Sequence, residues 1–151
     1  VTSPKLSHYS QVQLKKIKSV PQEVTSYKPK GLWVSVDGPN DWPHYLDGLD
    51  AKPGRYHYRI DLDFKNILQL CSRNDLKNFT HRYKKYACGE MFSIHWVAVA
   101  QEYQGIVISP WLNSFNLSLN LSWYYGWDCA SGCIWDANAI RNHTLTSVSA
   151  P

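Results

Sequence analysis

The chain has no apolar run near the roughly 20 residues that a membrane-crossing helix needs, so no such span is expected. It has four cysteines in 151 residues, at 71, 88, 129 and 133, too few and too dispersed for a dense disulfide framework. It has neither Gly-x-x-x-x-Gly-Lys-[Ser/Thr] nor Gly-x-Gly-x-x-Gly, which removes two glycine-rich phosphate loops. It also lacks Gly-x-Ser-x-Gly. Ser131 stands in Ala-Ser-Gly-Cys, without the strand-to-helix elbow that exposes a nucleophilic serine. Internal repeats and low-complexity linkers are absent as well. One domain over residues 1–151, long enough to bury a core, is the expectation.

Metal chemistry finds little support. Cys129 and Cys133 are spaced Cys-x3-Cys with only His143 nearby, and no second pair has matching spacing for a structural zinc site. A disulfide between them would close a short loop and gain little entropy, so buried free thiols fit better. No signal-peptide pattern is visible at the start, as would also hold for a processed chain. The sequons at Asn78, Asn116, Asn120 and Asn142 matter only in a secreted protein. An intracellular setting with free thiols is expected.

Aromatics, by contrast, are plentiful, at 14% of the chain, and they supply either a large core or surfaces for flat ligands. A net charge of +4 tilts partners mildly toward anions and nucleic acid.

Along the chain, Ser10 to Val20 reads as a short helix, with Ser10 and Gln13 as a capping box and Pro21 as its stop. "GLWVSV" from Gly31 reads as a strand. Asn40 or Asp41 caps a short helix with Pro43 in its first turn. "RYHYRIDLDF" and "NILQLC" read as strands. Ser72 to Tyr86 is the strongest helix, with Leu76, Phe79, Tyr83 and Tyr86 on one face and a basic face toward solvent. "HWVAVAQEY" reads as a helix that Gly105 terminates, and "IVIS" as a buried strand. Pro110 to Asn120 reads as a loop or edge hairpin, and "SWYYGW" and "CIWD" as the last strands. Helices and strands mix without regular alternation, which makes the fold class α+β.

Three short motifs carry a resemblance through their order. "SHYS" is followed by "GLWVS", then by a short helix "DWPHYL" with a tyrosine, and the chain closes on "CIWDANAI". This order resembles the ADP-ribosyltransferase fold in its His-Tyr-Glu-type branch. That branch holds the poly-ADP-ribose polymerases, the RNA 2′-phosphotransferases and the DarT-like toxins. The resemblance implies a split mixed β-sheet sandwich with short flanking helices and an NAD site between two small sheets. It implies that His8 bonds an NAD ribose hydroxyl, that the Tyr9 backbone holds the carboxamide, and that Ser10 adds a polar contact. Trp33 or Tyr45 would stack on the nicotinamide ring. Arg55 or Lys30, chosen by charge alone, would meet the pyrophosphate.

The third motif departs from the family. Laying "SGCIWD" over Glu-Tyr-Ile-Val-Tyr-Asp sets Ser131 where the catalytic glutamate stands. Serine carries no charge to stabilise the oxocarbenium-like sugar. Asp128, three residues earlier, is the nearest acid able to substitute, and Glu102 reads as a solvated helix residue. The implied activity is NAD-dependent mono-ADP-ribosyl transfer to a macromolecule, nucleic acid slightly ahead of protein, with His8, Tyr45, Asp128 and Ser131 as catalytic candidates. An inactive module binding a nucleotide or ADP-ribose is the alternative that the missing glutamate favours. A secreted carbohydrate- or partner-binding domain is a third, favoured by the sequons and aromatics.

Overall fold

A computed structural model describes residues 3–88, 91–112 and 119–151. Seven strands form one sheet: β1 (Leu6–Ser10), β2 (Leu32–Val36), β3 (Tyr56–Leu62), β4 (Ile67–Leu70), β7 (Gly105–Ile108), β8 (Ser131–Ile134) and β9 (Ile140–Val148), in the order β4-β7-β8-β2-β1-β3-β9. β5 (Lys84–Cys88) and β6 (Met91–Ile94) pair separately as a hairpin. Among the described residues there are three α-helices, α1 (Trp42–Asp47), α2 (Arg73–Tyr83) and α3 (Trp96–Glu102), besides short 3-10 turns. Only the β4–β7 pair is parallel, and α2, the hairpin and α3 fill the crossover it requires. The fold is therefore α+β around a mixed seven-stranded sheet. Among the described residues, no helix is long and apolar enough to cross a membrane.

The sheet is covered on both faces. Along β7, Ile106 and Ile108 join one core while Val107 joins the other, as alternation of side chains requires. The first core takes α2, α3 and most of the aromatics, including Trp96, Trp123, Trp127 and Trp135. Phe79 lies 5.3 Å from Trp123, and the Trp123 indole donates to Thr80 Oγ1 at 2.7 Å. The second core packs Leu6, Val34, Tyr58, Ile60 and Val107.

The local signals for α1 and α2 hold. Asp41 caps α1 by accepting from the His44 amide, with Pro43 in the first turn. Ser72 caps α2 by accepting from the Asp75 amide at 3.2 Å. β2 to β4 and β7 also lie where their strand patterns read.

Other elements differ. No helix forms between Ser10 and Val20. Ser10 ends β1, and the following backbone bonds at long range, Leu14 to the Tyr58 hydroxyl and Val20 to the Trp135 carbonyl. α2 stops at Tyr83 because Lys84 turns extended and starts the β5–β6 hairpin, which the periodicity of Tyr86 concealed. Tyr103, not Gly105, ends α3; Gly105 opens β7, where a side chain would meet the Cys133 carbonyl at 2.8 Å. "SWYYGW" is 3-10 helical rather than a strand, since Trp123 and Tyr124 bury completely against the first core. β9, a mostly exposed strand after "CIWDANAI", has too little apolar alternation to read as a strand. Residues 113–118 of the loop read over Pro110–Asn120, with the sequon at Asn116, lie outside the described residues.

Candidate functional site

The site begins where two neighbouring strands part. β1 pairs with β3 over five residues but with β2 over only two, Leu6 with Val36 and Ser7 with Ser35. The Asp37 amide donates to the Lys5 carbonyl at 2.9 Å, which sets the phase of that ladder. Lys5, Ser7 and Tyr9 then turn their peptide groups toward β2, and those of Tyr9 lie past the last paired residue. Continuing the register would set Tyr9 opposite Trp33. Instead the Trp33 carbonyl accepts a hydrogen bond from His8 Nδ1 at 2.5 Å. A carbonyl only accepts, so Nδ1 carries the proton and the neutral ring offers Nε2 as an acceptor. Burial lowers the His8 pKa, against the opposing pull of the Trp33 carbonyl.

A cavity of about 390 Å³ opens at this separation, a size within the range of small-ligand sites. β1 supplies Ser7, His8 and Tyr9, and β2 supplies Trp33, Val34 and Ser35. The segment from Gly126 to Cys129 forms the far wall, with Ser131 at the start of β8. Trp127 meets the Trp33 ring edge-on at 5.0 Å, and its carbonyl accepts from the Trp111 indole at 2.7 Å. Trp42 adds an aromatic wall from α1; its amide donates to the Ser35 hydroxyl at 2.9 Å. α1 is itself held by Asp41. Burial opposes ionisation of this carboxyl, but bonds from the His44 ring and from the Gly38 and His44 amides prevail and lower its pKa.

Among the described residues, the lining carries one ammonium and one carboxylate, Lys28 and Asp128. Lys28 Nζ donates to the Gly126 carbonyl at 2.7 Å and stands 4.6 Å from the centroid of Trp33. The half-buried Asp128 carboxylate has no hydrogen-bond or ion-pair partner among the described residues. The hydroxyl of buried Ser131 donates to the Cys129 carbonyl at 3.0 Å, which leaves it able only to accept from a ligand. Under the cavity, Ser7 donates to Asp37 at 2.6 Å and meets His57 Nε2 at 2.8 Å, while the Tyr9 ring stacks on His57 at 4.6 Å.

Cys129 and Cys133 are buried and unpaired. Burial pushes Cys129 up to about 11 and raises Cys133 further. Among the described residues, no group of three His, Cys, Asp or Glu side chains could hold a metal ion.

No family model, curated protein or solved structure matches this chain. Its own geometry carries the functional argument. Of the residues the sequence nominated, His8, Tyr9, Trp33, Asp128 and Ser131 line one cavity. Tyr45 is not among the lining; it stacks behind Trp42 at 5.6 Å, and Trp42 holds the wall. Ser10 closes β1 outside the lining, its hydroxyl accepting from the Val12 amide at 3.2 Å. The cations chosen by charge lie elsewhere. Arg55 donates to the Ser149 carbonyl at 3.1 Å, and Lys30 pairs with Glu23 at 2.8 Å. Glu102 is solvated as expected and takes both bonds from Arg82. Trp135 belongs to the core. Sequence reasoning missed Ser7, Lys28, Ser35, Trp42, Trp127 and Cys129. Ser7, Trp127 and Cys129 directly neighbour a nominated residue in sequence, the one signal available.

A pH dependence follows. Burial lowers His8 and His57 below their ordinary value of 6.5. A depressed histidine favours the folded state fully above the unfolded value, and that contribution is lost as pH falls through and below it. Thermal stability is expected to decline between pH 7 and pH 5. His8→Ala should flatten part of this decline, read by melting curves across that window. An identical slope in the variant would remove His8 from the account.

Proposed function

We propose that this protein binds NAD in the β1–β2 cavity and transfers one ADP-ribose unit to a macromolecule. The observation that carries the reading is convergence: five residues nominated from distant motifs line one cavity at a strand separation. The same separation supports the split-sheet ADP-ribosyltransferase type as the finer description of the fold.

The residues fit the dinucleotide's nicotinamide half. Trp33 and Trp42 supply faces and edges for a flat ring. Tyr9 offers an unpaired N–H and C=O, the complement of a carboxamide. His8 Nε2 accepts from a sugar hydroxyl, and so does Ser131. NAD supplies a sugar carbon from which nicotinamide departs with the bonding electrons. Asp128 provides the one carboxylate of the lining, and it stabilises positive charge as that charge develops. The chain contributes orientation, water exclusion and this single charge. The acceptor is a macromolecule, with nucleic acid slightly favoured by the +4 net charge.

The absence of a glutamate keeps a second reading in view, a module that holds a nucleotide or ADP-ribose without turnover. Ser131 in the β8 position supports it, and the unpartnered Asp128 opposes it. The secreted carbohydrate- or partner-binding reading keeps its sequons but loses part of its aromatic support, because Trp96, Trp123, Trp127 and Trp135 are buried. Nicotinamide release from NAD, measured with nucleic acid or cell extract present, separates the first two. Release supports transfer, and binding without release supports the inactive module. His8→Ala is expected to weaken NAD about 10-fold by calorimetry, as loss of one buried hydrogen bond does. Full affinity in that variant would sink the site assignment.

A further inference from the structure

Lys28 was invisible to reasoning by motif, and the structure gives it a distinct setting. Its ammonium has three donors, and the Gly126 carbonyl takes one at 2.7 Å. Trp33 lies under it at 4.6 Å, a cation–π contact that holds the side chain in place. It is the only Lys or Arg in the cavity lining. The adjoining wall adds further donors. The amides of Trp127 and Ala130 are satisfied by Tyr124 and Asn40. Those of Asp128 and Cys129, between them, have no partner among the described residues. Successive free amides beside a fixed cation are the makings of an anion cradle.

Charge balance points the same way. Lys28 and Asp128 line the same cavity, so it presents opposite charges to a ligand. An anion alone would be repelled by Asp128, and a cation alone by Lys28. A ligand with a cationic ring near an anionic linker satisfies both.

We propose that Lys28, with the free amides of Asp128 and Cys129, forms an anion subsite that takes the pyrophosphate of a dinucleotide. This rests on the NAD reading of the cavity. Lys28 thereby sets specificity, selecting phosphorylated ligands over the phosphate-free nucleoside.

Calorimetric titration tests it with four probes: NAD, inorganic pyrophosphate, nicotinamide riboside and nicotinamide. The wild-type protein is expected to bind NAD at least 10-fold more tightly than nicotinamide riboside. Lys28→Gln should weaken NAD and pyrophosphate 10- to 100-fold, as removal of a charge-assisted bond does, and leave nicotinamide unchanged. Lys28→Arg keeps the charge and should stay within about fivefold of wild type. Lys30→Gln and Arg55→Gln, both outside the lining, should change nothing beyond twofold. If the loss falls on Lys30 or Arg55, or Lys28→Gln retains both ligands, the subsite is overturned. Should Lys28→Gln fail to fold, the wild-type ratio of NAD to nicotinamide riboside decides, and a ratio near one rejects the subsite. If pyrophosphate binds through Lys28 while NAD does not bind, the dinucleotide reading falls and the anion subsite stands.

Discussion

Asp128→Asn is expected to slow nicotinamide release about 100-fold while changing NAD affinity less than threefold, because a charge is lost and the shape is kept. The half-buried carboxylate lines the cavity and has no partner among the described residues, so its charge is free to act on a ligand. Electrostatic stabilisation of developing charge in a shielded site is worth about 3 kcal/mol, which is the 100-fold. Ser131→Ala gives the contrast. Its hydroxyl proton is already used on the Cys129 carbonyl, so only an accepted bond is lost, and about a threefold fall is expected. Single-turnover assays on both variants decide which residue acts in place of a glutamate. A severe loss in Ser131→Ala with Asp128→Asn unaffected would reverse the assignment.

Gly31→Ala is expected to destabilise the fold by about 3 kcal/mol, near the upper end of what overpacking costs. A Cβ on Gly31 would lie 2.3 Å from the Ile134 carbonyl oxygen and 3.0 Å from the Trp135 Cα. Both are backbone atoms, at the end of and just past the strand that Leu32 pairs with, so no side chain can swing aside. At this chain length the melting temperature should fall by about 6–12 °C. Gly38→Ala isolates the backbone effect, since Gly38 also has positive φ but nothing lies within 4 Å of an added Cβ. It should cost about 1–2 kcal/mol. Equal losses in the two variants would mean that conformation, not the close approach to Ile134, decides. The consequence reaches function, because the β2–β8 pairing that Gly31 permits sets Trp33 and Ser131 on adjacent strands of the cavity.

How much could be read beforehand depended on the range of the interactions. Asp41 and Ser72 announced their helices because an N-cap is satisfied within three residues. β7 was legible because a strand buried on both faces is apolar throughout. The stretch from Ser10 to Val20 misled because its helix pattern is outbid by distant partners, Tyr58 and Trp135. The "SWYYGW" rings suggested a strand, yet their burial is set by α2 and α3, which no local window contains.

The site divides along the same line. The resemblance carried by motif order nominated His8, Tyr9, Trp33, Asp128 and Ser131, which line the cavity, together with Ser10 and Tyr45, which do not. Tertiary structure alone chose Lys28 over Lys30 and Arg55, and Trp42 over Tyr45. Those choices depend on where β1 leaves β2 and on which side chains then face the gap. Strand separation is a property of pairing between segments some 25 residues apart, so local sequence carries the parts of this site and only the folded sheet selects among them.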